Sequence, residues 1–236
     1  MGTSNWQNIP YCIEIFREFE PKTILDIGVG FGRWGILARE FLEVWYGRNN
    51  PKTWQLRVEG IEAFEPAISS YHHAFYNHIH IGDAFDILLK VEEFELVILG
   101  DVLEHFSPDR ADKVLQRCKE IGRLVLLIIP LEKDWHQNEK YGNPFEQHLS
   151  VWTDEQLTTP DLLKKCLFED FSERPFGLYL YKGSKNPPKG NKSKDAAKFS
   201  EDTELAAREL YRYFLRHPTR TKLLRDILNF IHKWLP

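Results

Sequence analysis

Short apolar runs alternate with segments whose apolar residues recur at helical spacing along most of the chain. The apolar runs predict buried strands at residues 22–28, 55–62, 78–81, 94–100 and 123–130. The helical spacing predicts helices at residues 33–46, 66–75, 83–90 and 108–120, the last with Ser107 as its N-cap. Regular alternation of strand and helix is typical of a doubly wound, mostly parallel α/β sheet.

The pattern changes after the fifth predicted strand. Thr153 and Gln156 match a capping box, which predicts a helix from residue 153 to about residue 165. Two further strands are predicted at residues 167–172 and 176–182. The link between them, residues 173–175, is too short for a crossover helix. These strands are therefore predicted to form an antiparallel hairpin that completes a seven-stranded sheet.

The composition divides the chain into three parts. Residues 1–182 are predicted to form one domain, and residues 183–200, rich in Gly, Pro, Ser, Asn and Lys, a flexible linker. Residues 201–236 are predicted to form an amphipathic helical tail, with helices at 202–216 and 219–234. We expect the apolar stripe of the tail to pack on the domain or on a second subunit in a homodimer. Peripheral contact with an anionic membrane is the alternative.

Composition and charge narrow the class of protein. The 236 residues suffice for one well-buried domain, and a net charge of −4 gives no reason to expect a nucleic-acid partner. The three cysteines, Cys12, Cys118 and Cys166, form no Cys-x-x-Cys pair, so we expect reduced packing residues in a cytoplasmic protein. The N-terminal residues lack a signal-peptide pattern, and no apolar run approaches the roughly 20 residues of a transmembrane helix.

The candidate chemistry begins with a glycine-rich turn. The sequence Asp26-Ile-Gly28-Val-Gly30-Phe-Gly32 directly follows the first predicted strand and precedes a helix. Glycines allow the backbone to turn tightly and to approach a ligand without a Cβ collision. In open α/β sheets, ligands bind at the carboxyl ends of the strands, where this turn is predicted to lie.

Over roughly residues 20–182 the order of motifs resembles that of class I S-adenosylmethionine (SAM)-dependent methyltransferases, which share a Rossmann-like fold. The resemblance implies that Asp26, Gly28, Gly30 and Gly32 frame the methionine end of SAM. It also implies that Glu62, at the end of the second strand, accepts hydrogen bonds from the ribose hydroxyls. Glu59 is the alternative to Glu62 because the spacing from Gly32 is longer than usual.

Two further segments complete the resemblance. Asp83 and Ala84 are similar to the segment that meets the adenine ring. Asp101 lies in Gly100-Asp101-Val-Leu-Glu104-His105, which resembles the fourth-strand motif that lines the reaction centre. A nicotinamide-dependent oxidoreductase is the competing interpretation, but its Gly-x-Gly-x-x-Gly/Ala fingerprint requires a small residue where this chain has Arg33.

Methyl transfer from an activated sulfonium depends mainly on alignment and desolvation, with a general base for some acceptors. His105 and His148 are the candidate bases; a capping or packing role is the alternative. Asp101, Glu104, His105 and His148 also resemble the divalent-metal ligands of small-RNA 3′-end 2′-O-methyltransferases. Many relatives share Leu-Glu-His without a metal, so we predict no metal and keep the metal site as the alternative.

Residues 131–151 are predicted to cover the pocket, and Trp135, His136, Tyr141 and Phe145 to line an acceptor site. We therefore expect a methyltransferase acting on an oxygen or nitrogen atom of a small molecule or glycan. The alternatives are an RNA 3′-end 2′-O-methyltransferase and a non-catalytic nucleotide-binding or scaffold protein.

Overall fold

The computed structural model describes residues 5–131, 137–140, 142–170, 173–185 and 199–216. Its strands are β1 (Thr23–Ile27), β2 (Arg57–Glu62), β3 (His78–Ile81), β4 (Phe94–Gly100), β5 (Gly122–Pro130), β6 (Leu162–Glu169) and β7 (Pro175–Lys182). Its α-helices are α1 (Ile9–Phe19), α2 (Arg33–Leu42), α3 (Ala84–Leu88), α4 (Pro108–Ile121), α5 (Asp154–Leu157) and α6 (Glu201–Arg216).

The seven strands form one sheet in the order β3-β2-β1-β4-β5-β7-β6. Strands β1 to β5 pair in parallel, whereas β7 lies antiparallel between β5 and β6. The prediction of a mostly parallel seven-stranded sheet with a C-terminal antiparallel hairpin is confirmed. The strand order reverses beside β1, where β2 leaves on one side and β4 on the other, and this is the usual ligand position in such sheets.

Each face of the sheet is covered by its own hydrophobic core, which explains the continuous apolar runs. Ile24 of β1 packs with α1 and α2, while the next residue, Leu25, packs on the opposite face with α3 and α4. The three cysteines are buried free thiols, as their scattered positions predicted.

The helix predicted from Thr153 to about residue 165 was wrong beyond its first turn. The capping box is present, but α5 ends at Leu157, and β6 already begins at Leu162. Pro160 lacks a backbone donor and disfavours a helical residue before it, so the helix cannot continue through it. The next residues pair with β7 instead, and the strand predicted at 167–172 is in fact Leu162–Glu169.

Two other helix predictions need correction, one in its end point and one in its type. The helix at 33–46 ends at Leu42, because the Glu43 carboxylate accepts the backbone N–H groups of Gln55 and Leu56 at 2.7 and 2.5 Å and turns the chain into β2. Residues 66–75 form two short 3₁₀ turns, Glu65–Ala67 and Ser70–Ala74, rather than an α-helix. Helix α1 was not predicted from the sequence.

The described part of the tail contacts the domain. Helix α6 packs against α1, with the rings of Tyr11 and Phe199 4.8 Å apart and the Glu14 carboxylate accepting the N–H of Ser200 at 2.9 Å. The second tail helix, predicted at 219–234, and residues 186–198 of the predicted linker lie outside the described residues. None of the described helices is both long and apolar enough to cross a membrane.

Candidate functional site

A cavity of about 360 Å³ opens at the carboxyl ends of β1, β2 and β4. The predicted site residues that line it are Gly28, Gly30, Glu62, Asp83, Ala84, Asp101, Glu104, His105 and His148. Asp26 and Gly32 lie behind this surface and do not line the cavity. The volume is within the range of small-molecule and cofactor sites, roughly 300–1,000 Å³.

The glycine-rich loop requires its glycines for conformation and for space. Gly28, Gly30 and Gly32 have φ angles of 76°, 50° and 82°, which strain other residues. A Cβ on Gly28 would lie 2.4 Å from Cγ2 of Val102, and a Cβ on Gly32 3.0 Å from the His72 ring. The loop therefore follows a path that side chains would block.

Glu62 fixes the loop from the end of β2. Its Oε2 accepts the N–H of Gly30 at 3.0 Å, and its Oε1 accepts the N–H of Phe64 at 2.9 Å. The residue is only 7% exposed but lines the cavity. Because each carboxylate oxygen has two acceptor positions, the side chain can also accept hydrogen bonds from a ligand. Glu59 instead pairs with His80.

Asp26 lies beneath the loop, where it supports the structure. It is completely buried, and the Tyr76 hydroxyl donates to its Oδ2 at 2.5 Å. The same hydroxyl accepts the N–H of Gly35 in the first turns of α2 at 3.1 Å. Burial raises the pKa of Asp26 to about 8, against the hydrogen bond from Tyr76, which lowers it. The sequence did not reveal this link between β1, α2 and Tyr76.

Two residues of the 3₁₀ turn Ser70–Ala74 form hydrogen bonds with the glycine-rich loop. The His72 Nδ1 accepts the N–H of Ser69 at 3.0 Å, so Nε2 carries the proton and donates to the Gly30 carbonyl at 3.0 Å. The Tyr71 hydroxyl donates to the Phe31 carbonyl at 3.3 Å. Burial lowers the pKa of His72, which favours the neutral ring that this arrangement needs. Gly30 is thus held at its N–H by Glu62 and at its C=O by His72.

Asp83 caps α3 at the far end of the cavity. Its Oδ1 accepts the N–H groups of Phe85 and Asp86 at 2.9 and 3.2 Å and a hydrogen bond from Arg110 at 2.5 Å. Ala84 follows it on the cavity wall. The cap fixes this part of the cavity wall, where Ala84 presents only a methyl group.

Asp101 directly follows β4 and lines another part of the cavity. It has a φ of 57°, a conformation that Asp tolerates better than most residues. Its Oδ2 accepts the N–H of Asn5 at 3.0 Å. The Asn5 carbonyl accepts a hydrogen bond from Arg33 at 2.9 Å, and both Asn5 and Arg33 line the cavity. Arg33 directly follows the glycine-rich loop in the sequence, whereas no sequence signal pointed to Asn5.

Three of the four residues in the predicted alternative metal site come together. Glu104, His105 and His148 each place one ligand atom within 4.8 Å of the others. Their Oε and imidazole nitrogen donors suit Zn²⁺ or Mn²⁺. Asp101 is not part of this group. The metal therefore stays an alternative with one fewer ligand than the sequence predicted.

Burial shifts the pKa values of Glu104 and His105 away from those of exposed side chains. Burial and the Asp101 carboxylate raise the pKa of Glu104 well above its usual range. Burial lowers the pKa of His105, although the Gln147 carbonyl, which lies 3.0 Å from Nδ1, raises it. A protonated carboxyl beside a neutral imidazole is a suitable arrangement for moving a proton.

The segment after β5 brings His148 to His105. The N–H groups of Leu149 and Ser150 donate to the Glu104 carbonyl at 2.8 and 3.1 Å, and the two imidazole rings lie 5.1 Å apart. Phe145 lines the cavity as predicted. Trp135, His136 and Tyr141, the other predicted acceptor residues, lie outside the described residues. Arg174 and Phe176 also line this end and were not predicted from the sequence.

Comparison with known proteins adds the identity of the fold. No protein-family model matches the sequence. No curated protein matches it either. Among solved structures, the N-terminal domain of EvdMO1 has a TM-score of 0.52 at 14% identity, and the match covers 77% of this chain and 85% of that one. That structure was determined in the presence of S-adenosylhomocysteine (SAH) and D-fucose.

Two archaeal structures agree with this match. A SAM-dependent methyltransferase from Archaeoglobus fulgidus has a TM-score of 0.51 at 15% identity, covering 74% of this chain and 92% of that one. The PH0226 protein from Pyrococcus horikoshii OT3 has a TM-score of 0.51 at 17% identity, covering 75% and 88%. The chain has the fold of the class I SAM-dependent methyltransferases.

Proposed function

We propose that the protein is a SAM-dependent methyltransferase that acts on an oxygen or nitrogen atom of a small molecule or glycan. The observation that carries this proposal is the position of Glu62. It holds Gly30 of the glycine-rich loop and faces the same cavity as His105 and His148. A residue that can bind a nucleoside and residues that can accept a proton therefore line the same cavity.

The residues of the cavity fit SAM. Gly28 forms a cradle that a Cβ would fill, Glu62 offers acceptors to ribose hydroxyls, and Ala84 leaves space for the adenine ring. Bound SAM supplies an electrophilic methyl group. The protein then has to align an acceptor atom with that group, exclude water and receive one proton.

His105 is our candidate for receiving the proton. Its lowered pKa keeps the ring neutral near pH 7, and a neutral imidazole can accept a proton from a hydroxyl or amine. His148 lies against it in edge-to-face geometry and is the second candidate. A glycan acceptor is supported by the similar EvdMO1 domain, whose crystal structure was determined in the presence of SAH and D-fucose, a sugar.

Calorimetric titration with S-adenosylhomocysteine (SAH) tests the cofactor site. We expect wild type to bind SAH and Glu62→Gln to bind it at least about tenfold more weakly, because an amide N–H₂ would face the Gly30 or Phe64 N–H. Glu59→Gln is the matched control on the same strand and should bind normally. Absence of SAH binding by folded wild type would overturn the proposed function.

A screen for SAH formation from SAM, with sugars and phenols as acceptors, tests turnover. His105→Ala should lower kcat by roughly 10²–10⁴-fold with any acceptor that must lose a proton. SAH binding together with no turnover on any acceptor would favour the non-catalytic alternative.

The cluster of Glu104, His105 and His148 favours one second candidate, a metal-assisted 2′-O-methyltransferase acting on RNA ends. A bound divalent cation would lower the pKa of the acceptor hydroxyl. Elemental analysis of purified wild type and His148→Ala tests it. Stoichiometric metal that is lost in the variant would support this candidate, whereas metal-free protein with activity insensitive to EDTA would exclude it.

A further inference from the structure

His72 is a buried residue that contacts the glycine-rich loop from outside the cavity. Its side chain is completely buried, and it does not line the cavity, whereas Gly30 and Phe31 of the loop do. An imidazole in this position has no direct contact with a ligand in the cavity. Any effect of His72 on such a ligand must therefore pass through the loop.

The two ring nitrogens of His72 bind different parts of the chain. Nε2 donates to the Gly30 carbonyl at 3.0 Å. Nδ1 accepts the N–H of Ser69 at 3.0 Å and lies 3.2 Å from the Ser69 carbonyl, within the capping box of its own turn. One ring thus joins a residue three positions away to a loop 42 positions away.

Neighbouring contacts keep the ring in place. The His72 ring stacks on the Tyr71 ring with a centroid distance of 4.0 Å, and a Cβ on Gly32 would lie 3.0 Å from its Cδ2. The Tyr71 hydroxyl donates to the carbonyl of Phe31 at 3.3 Å. The carbonyls of Gly30 and Phe31 are therefore both bound by side chains of one 3₁₀ turn.

These contacts fix the peptide unit between Gly30 and Phe31. The unit is trans and planar, so its C=O and N–H point in opposite directions. Because the Gly30 carbonyl points at His72, the Phe31 N–H points away from it. Rotation of this peptide would reverse its dipole and displace two residues that line the cavity.

We infer that His72 is a positioning residue of the cofactor site. Resting on the proposed function, it sets the orientation of the peptide between Gly30 and Phe31, and thereby the affinity for SAM, without touching SAM itself. Glu62 holds the N–H of Gly30 from the cavity side, and His72 supplies the matching restraint on its carbonyl.

Two amide variants separate the roles of the two ring nitrogens. The side-chain nitrogen of glutamine is as many bonds from Cβ as Nε2, so His72→Gln retains a donor for the Gly30 carbonyl. Asparagine reaches only the position of Nδ1, so His72→Asn retains a partner for Ser69 but loses the bond to Gly30. Both variants lose the ring and its stacking on Tyr71. His73→Gln is the control because His73 is exposed on the same turn.

Calorimetry with SAH would measure affinity, and amide hydrogen exchange of the ligand-free protein would measure the protection of residues 28–32. We expect His72→Asn to weaken SAH binding by about tenfold, the effect of one lost hydrogen bond, and to speed exchange in the loop. His72→Gln should bind SAH within about threefold of wild type, and His73→Gln should match wild type. Urea unfolding should show similar losses of stability in both variants at position 72.

Equal SAH affinity in His72→Asn and His72→Gln would overturn the positioning role alone. If both bind weakly, the ring acts only through packing; if both bind normally, the bond to Gly30 is not needed. Wild type that binds no SAH would instead overturn the proposed function. Hydrogen exchange then decides whether His72 orders the loop, and equal exchange in the two variants would reject that as well.

Discussion

The two ends of the cavity are built differently. At the donor end, which comprises Gly28–Gly32, Glu62 and Asp83, the main polar groups are hydrogen-bonded within the protein: the Gly30 backbone by the side chains of Glu62 and His72, and the Asp83 side chain by the first turn of α3. Asp26, beneath this end, has a buried Oδ1 with no hydrogen-bond partner among the described residues. At the acceptor end, which comprises Glu104, His105 and His148, a carboxyl that is only 2% exposed has an Oε2 with no hydrogen-bond partner among the described residues.

The two ends therefore differ in how completely their buried polar groups are hydrogen-bonded. Satisfied buried groups rigidify a site, and under the proposed function the donor end holds the same cofactor in every cycle. A buried group without its full set of partners costs stability, and such groups concentrate where a ligand or a reaction supplies what is missing. Under the proposed function, a bound acceptor supplies the partner that Glu104 Oε2 lacks.

The largest effect is expected from Gly28→Ala, which tests whether the donor end is rigid. The new Cβ would lie 2.4 Å from Cγ2 of Val102, so the loop must move, and SAH binding should weaken by about 100-fold or more. Gly47→Ala is the matched control: its φ is 79°, but nothing lies within 4 Å of its Cβ. The control should cost about 1–2 kcal/mol of stability and leave SAH binding intact. Equal SAH binding by both variants would contradict a rigid donor end.

A second test concerns the pH dependence of the donor end. The pKa of Asp26 is raised to about 8 in the fold from about 3.9 in the unfolded chain, so its contribution to stability is complete below about pH 4 and is lost as the pH rises through about 8. Urea unfolding of wild type should show this loss between pH 5 and 8, with a slope of at most about 1.4 kcal/mol per pH unit. Asp26→Asn should remove this component, whereas the exposed control Asp86→Asn should retain it. Identical slopes in wild type and Asp26→Asn would refute the assignment.

A third test compares buried carboxyls with different surroundings. Glu104→Gln should keep or raise the free energy of unfolding at pH 8 by about 1 kcal/mol, because the raised pKa shows that burial opposes its charged form. Glu43→Gln should lower it by about 2 kcal/mol, because Glu43 is fully buried but accepts the N–H groups of Gln55 and Leu56 and pairs with Arg48. If Glu104→Gln is the more destabilising variant, the fold depends on the Glu104 carboxylate and the description of the acceptor end is wrong.

The smallest effect is expected where the N-terminal segment meets the cavity. Asn5→Pro removes the N–H that donates to Asp101, and the φ of −57° at this position suits proline. Asn5→Ala loses only the side chain, which accepts the N–H of Gln7. Asn5→Pro should therefore lower the free energy of unfolding by about 1 kcal/mol relative to Asn5→Ala, because the partly buried Asp101 carboxylate loses this hydrogen bond, and urea unfolding of both variants would measure the difference. Equal unfolding free energies for the two variants would show that the Asn5 N–H does not help to hold the N-terminal segment.

Much of the donor end could be predicted because its signals are local. Asp26 through Gly32 joins a strand to a helix, and alternation along β2 places Glu62 at the cavity and Glu59 against His80. The acceptor end was predicted only as a set of residue types. No local pattern indicates that the Glu104 carbonyl accepts hydrogen bonds from the segment containing His148 or that Asp101 accepts one from Asn5.

The sequence by itself determined the alternation of strands and helices, the antiparallel hairpin and the glycine-rich turn, because each follows from periodicity or sterics within a few residues. Only the tertiary structure decided that residues 66–75 form 3₁₀ turns that hold Gly30, that Asp26 supports the loop through Tyr76, and that Asn5 meets Arg33 and Asp101. These contacts join residues 28 to 96 positions apart. Such pairings depend on how the whole chain packs, and local patterns carry no information about them.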